Sequence, residues 1–99
     1  MVLKWFDTKR SEAFGKELAA FIMKDLSAAS MKKRDAKFTE KAEKVLVKAA
    51  RRIAEFRKSE PLNFYKRSKV ANAFLWTLKD AGCPKDYTSE LTRWLTVYL

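Results

Sequence analysis

Six cationic side chains, Lys37, Lys41, Lys44, Lys48, Arg51 and Lys58, recur at steps of four, three, four, three and seven residues. At about 100° per residue a helix carries all six on one side, and only Glu55 interrupts the row. Amines spaced this way can neutralise phosphates, release their counterions and hold a polyanion without reading its sequence. Five of the six are lysines. That leans away from base-specific contacts, which favour the bidentate fork of arginine. Like charges at these spacings repel by roughly 0.2–0.5 kcal/mol per pair, so a chain that keeps them is presenting charge to something. The competing account is a solvated outer face whose lysines confer solubility.

Other chemistry is scarce. The 99 residues include no histidine and one cysteine, Cys83. An internal disulfide, a zinc finger and any Ser/His or Cys/His nucleophile pair are therefore excluded. Cys83 stands between Gly82 and Pro84, where a turn follows a helix C-terminus. The negative potential of such an end does not promote a thiolate, so Cys83 reads as a turn residue. The acidic residues are scattered among lysines without metal-ligand spacing. Two isolated glycines cannot build a phosphate-cradling loop. Neither an enzyme activity nor a cofactor, a metal or a small-molecule substrate is implied.

The elements that would carry the row are helices. Ala, Leu, Lys and Phe dominate over Val and Ile, and there are two Gly and two Pro, which points to long regular segments. Four helices are predicted. The first runs from Thr8 or Ser11 to about Ala28, with Phe14, Leu18, Phe21 and Ile22 on one side. Gly15 lies near that side, next to Ala19, and suggests close approach of another backbone. Asp25 drifts toward the apolar side and calls for a basic partner. Ser27 to Asp35 is predicted to be the main loop, with Lys32, Lys33 and Arg34 as mobile cations. The second helix, Asp35 to Lys58, sets Phe38, Ala42, Val45, Leu46, Ala49, Ile53 and Phe56 opposite the basic row. Pro61 is placed in the first turn of the third helix, Leu62 to Ala81, with Ser59 or Glu60 as its cap. This third helix is apolar over a wide arc, which places it at the centre of the fold. Arg67 projects toward that arc, within reach of Asp25 or of water. Gly82 and Pro84 end the helix, and the last begins at Asp86 or Thr88. The expected architecture is all-α: a single-domain four-helix bundle, residues 1–99, packed around its third helix.

Net charge is +10, and residues 31–60 hold eleven of the 22 basic side chains against five acidic ones. The middle third thus carries most of the field that an anionic partner would feel. A second cluster, Lys66, Arg67 and Lys69, lies beside Phe64 and Tyr65. Rings among cations can stack on unpaired bases, but the simpler expectation is that both rings belong to the core or its edge. No secretory signal is read in Met1 to Asp7, and no apolar run is long enough to span a bilayer. With a lone cysteine, the compartment expected is the cytoplasm.

Three functions follow as expectations. The first is a basic binding module for a polyanion, RNA or DNA backbone, through Lys37, Lys41, Lys44, Lys48, Arg51 and Lys58; an acidic protein would feel the same field. The second is a helical assembly module, a homodimer, using Trp5, Phe6, Trp76, Trp94 and Tyr98, since thirteen aromatic residues are many for one small core. The third, ranked below these, is attachment to a membrane surface through the apolar patch Val2, Leu3, Trp5 and Phe6 together with the basic field.

Overall fold

Short polar side chains cap three of the five described helix starts, at places where backbone N–H groups would otherwise lack partners. The computed structural model describes residues 8–99, and every regular element among them is helical. These are α1 (Lys9–Asp25), α2 (Ala28–Lys33), α3 (Ala36–Ser59), α4 (Phe64–Asp80) and α5 (Lys85–Tyr98). Ser27 Oγ accepts from the Ser30 N–H at 3.1 Å and starts α2. Asp35 Oδ1 accepts from the Phe38 N–H at 2.9 Å and starts α3. Asn63 Oδ1 accepts from the Lys66 N–H at 2.8 Å and starts α4. Gly82, at φ 85°, closes α4. Its N–H donates to the Lys79 carbonyl and the Cys83 N–H to the Leu78 carbonyl, the paired bonds of a Schellman turn.

Four expectations about elements are corrected. The loop at residues 27–35 contains a further helix, α2, so the described residues hold five helices rather than four. Six residues are too few to be stable alone. The Ser27 cap and complete burial of Met31 hold them. Pro61 is not in the first turn of α4, and neither Ser59 nor Glu60 caps it. Helix α3 continues through Ser59, and Glu60 turns extended (φ −131°, ψ 108°) as a residue before proline must. The last helix starts at Lys85, ahead of both proposed caps. Thr88 lies inside its first turn, donating its buried hydroxyl to the Pro84 carbonyl at 2.9 Å and the Cys83 carbonyl at 3.3 Å. Nor is α4 enclosed on all sides at the centre: it buries the stripe Val70, Phe74 and Leu78 but leaves Phe64 86 % and Trp76 59 % exposed.

One continuous core joins Leu18, Ala19 and Ile22 of α1, Val45, Ala49 and Ile53 of α3, the α4 stripe, and Leu91 and Leu95 of α5. Helices α1 and α4 come close at Gly15, which faces the Val70 carbonyl, so the backbone approach expected there exists. Beyond it Phe14 stacks on Phe56 of α3, rings 4.1 Å apart and 2° from parallel. No helix among the described residues is long and apolar enough to cross a membrane.

Candidate polyanion-binding face

The rotation of α3 is fixed by what it buries. Phe38, Ala42, Val45, Ala49 and Ile53 lock one stripe into the core, and the opposite side must face water. Lys37, Lys41, Lys44, Lys48, Arg51 and Lys58 are all exposed on that side. The helix is unbroken from Ala36 to Ser59, so the row runs about 30 Å along a single element.

Charge on this row stands largely uncompensated. Among the described residues one of the six forms an ion pair, Lys44 with Glu40 at 4.0 Å, both side chains 74 % exposed. Such a pair contributes a few tenths of a kcal/mol and barely masks the amine. Some basic residues elsewhere have partners. Arg34 meets Asp86 at 3.3 Å and Glu90 at 3.2 Å, and lies over the Tyr87 ring at 4.7 Å. Lys66 and Arg10 share the two oxygens of Glu60, each at 2.8 Å. Arg52 covers the Phe21 ring at 4.1 Å.

These pairings correct two sequence expectations. Arg34 is not a mobile loop cation: it sits in the left-handed region at φ 48°, ends α2 and binds α5. The cluster at Lys66, Arg67 and Lys69 loses its first charge, because Lys66 is buried against Glu60. Phe64 beside it is exposed and belongs to neither the core nor its edge, while Tyr65 is 40 % exposed with Lys69 over its ring at 5.5 Å. Arg67 is exposed and makes no ion pair with Asp25.

The structure adds two features that periodicity along one helix does not reveal. A hollow of about 610 Å³ where α1, α2 and α3 meet is lined by Lys24, Lys33, Lys37 and Lys41, with Asp25 and Asp35. It extends the cationic surface past the start of the row. Second, a shallow groove of about 700 Å³ runs between α3 and α5, lined by Leu46, Val47, Ala50, Ala54, Trp94 and Tyr98, with Glu43 and Arg51 at its edge. Val47 is 55 % exposed and shares the neighbouring hollow with Glu43, Lys44, Lys48 and Arg51, so row and groove are contiguous.

The aromatic residues named as a partner surface are not brought into one patch. Trp94 and Tyr98 pack together on α5, rings 5.1 Å apart and tilted by 44°. Trp76 lines a separate groove with Glu12, Lys16 and Lys69, under Lys79 at 4.8 Å. Trp5 and Phe6, with the remainder of the N-terminal apolar patch, lie outside the described residues.

Cys83 is buried, and burial raises its thiol above the ordinary range; a hydrogen bond with Thr88 and the nearby Arg34 pull the other way without cancelling it. A thiol held protonated is a poor nucleophile. Among the described residues no group of three or more cysteine or acidic side chains is placed to hold a metal ion. Compared with known proteins, the chain matches no family model, no curated protein and no solved structure.

Proposed function

We propose that the protein is a small non-enzymatic module that binds the backbone of a nucleic acid along α3, through Lys37, Lys41, Lys44, Lys48, Arg51 and Lys58. The observation that carries this reading is the arrangement: all six cations share one exposed flank of an unbroken helix, and five of them meet no carboxylate among the described residues. Phosphates would supply the missing counter-charge and release the row from its own repulsion.

The test is affinity for a labelled oligonucleotide across a salt series. Engagement of four or five row residues gives log K against log salt a slope of about −3 to −5. Replacing Lys41, Lys48 and Arg51 together by Glu, all exposed positions, abolishes binding and leaves the helical circular dichroism intact. Retained affinity in that variant defeats the reading. A homodimer and a membrane surface are the competing partners. Separation of Trp76 from Trp94 and Tyr98 leaves the dimer a smaller apolar surface than the sequence suggested.

A further inference from the structure

We propose that the nucleic acid held along α3 is single-stranded, its phosphates on Lys44, Lys48 and Arg51 and its bases stacked in the α3–α5 groove against Trp94 and Tyr98. This rests on the polyanion reading and adds what the cations alone do not specify. A row of amines accepts any phosphate backbone, duplex or single-stranded. An apolar groove with aromatic walls beside that row accepts only bases whose faces are uncovered.

Four observations converge on it. The groove floor is aliphatic, from Leu46, Val47, Ala50 and Ala54, and its far wall is the Trp94–Tyr98 pair. Tyr98 is 44 % exposed, so ring surface is available. Exposed Val47 joins the groove to the cations, and Arg51 lines both hollows, so a nucleotide could set its phosphate on the row while its base lies in the groove. Finally, Arg57 Nη1 donates to the Tyr98 carbonyl at 3.2 Å, pinning the last turn of α5 to α3 and holding the Tyr98 backbone in place. Glu43 also lines both hollows and repels phosphate, so the backbone track runs over Lys44, Lys48 and Arg51 on the side away from it. A second copy of this chain suits the groove poorly. Docked there, it would bring two cationic rows together on molecules that each carry +10.

The experiment uses the full chain with Trp5→Phe and Trp76→Phe, so that Trp94 is the one tryptophan left of three. The probes are a fluorescein-labelled DNA single strand of about twelve nucleotides, its RNA equivalent and the matching DNA duplex. Anisotropy reports binding, and tryptophan emission reports stacking. Expected is quenching of Trp94 by a bound single strand, of either sugar, and none by bound duplex. Tyr98→Ala should weaken single-strand affinity by roughly five-fold or more and leave duplex affinity unchanged. Tyr98 is exposed enough for this variant to fold, which circular dichroism checks. Binding of a single strand without change in Trp94 emission overturns the stacking proposal while the polyanion reading stands. No anisotropy change with any probe overturns both. A dimer in light scattering that Tyr98→Ala dissociates assigns the groove to a second copy, and overturns the proposal too.

Discussion

The Val70 carbonyl oxygen of α4 occupies the space a side chain on Gly15 of α1 would need: a Cβ there would lie 2.5 Å from it. The next neighbours are the Ala73 Cβ at 3.0 Å and the Phe74 nitrogen at 3.1 Å. Two of the three are backbone atoms, so no rotamer change makes room. The helices themselves must separate, and the core stripe Val70, Phe74 and Leu78 separates with them.

Gly15→Ala is therefore expected to destabilise the fold although alanine is the better helix former. Propensity returns about 1 kcal/mol. Overpacking against a rigid neighbour costs about 1–3 kcal/mol or more, along with loosened contacts around it. The net expectation is a loss of about 1–2 kcal/mol in urea unfolding, with Gly15→Ser losing more. Equal or improved stability in Gly15→Ala would mean that α1 and α4 do not approach as described.

Gly15 also illustrates what was legible in the sequence. Its closeness to another backbone follows from its place near an apolar stripe, and so does the long α3 with one greasy and one cationic side. Periodicity within a helix encodes such features. What escaped were features settled between helices. Nothing local says that Met31 will be buried and hold a six-residue helix, or that Arg34 will bridge to Asp86 and Glu90 more than fifty residues on. Pro61 misled because it favours a helix start, yet here it only stops α3, while Asn63 two residues later does the capping. The groove beside the row was only half visible. Trp94 and Tyr98 drew notice as aromatic residues, but their position against Val47 and Arg51 depends on how α5 crosses α3.

Glu60 binds two cations in unequal settings, and this makes an asymmetric prediction. Its carboxylate and the Lys66 ammonium are 13 % and 10 % exposed, whereas Arg10 is 63 % exposed. Removing Glu60 strands a buried charge, which costs about 3 kcal/mol. Removing Lys66 leaves Glu60 still paired with Arg10, so Lys66→Met should cost only about 1 kcal/mol. Chemical unfolding of Glu60→Ala, Lys66→Met and the double variant checks this. The double variant should be more stable than Glu60→Ala alone, and a simple sum of the two losses would show that the pair is not coupled.

Arg34 sets a backbone cost against side-chain contacts. A non-glycine residue in the left-handed region costs about 1 kcal/mol. Its exposed ion pairs to Asp86 and Glu90 contribute up to about 1 kcal/mol each, and the Tyr87 ring adds about 0.5–1 kcal/mol. Arg34→Ala loses the contacts and keeps the strain, for an expected loss of about 1–2 kcal/mol. Arg34→Gly loses the same contacts but relieves the backbone, so it should be the more stable of the two variants. Added salt should narrow the gap between wild type and either variant, because it weakens the wild-type ion pairs. A gap that does not narrow would assign the stabilisation to the ring contact.

Two acids beside Arg34 make the fold sensitive to alkali. Burial pushes the Cys83 thiol above its ordinary 9.0 and the Tyr87 phenol above its ordinary 10.0, in each case against the lowering pull of Arg34. The folded chain thus holds both protons more tightly than the unfolded chain does. Below about pH 9 both states are protonated at these groups and their contribution to stability is complete. As pH rises through the unfolded values and on toward the folded ones, the unfolded state loses protons first, and stability falls. Urea midpoints measured from about pH 8 to 11 should therefore decline, and Cys83→Ala should make the early part of that decline shallower. The same burial predicts slow reaction of Cys83 with a thiol reagent near pH 8 until denaturant is added. Rapid labelling of the native chain, or a midpoint that holds steady above pH 10, would mean that these two side chains are not buried as the structure has them.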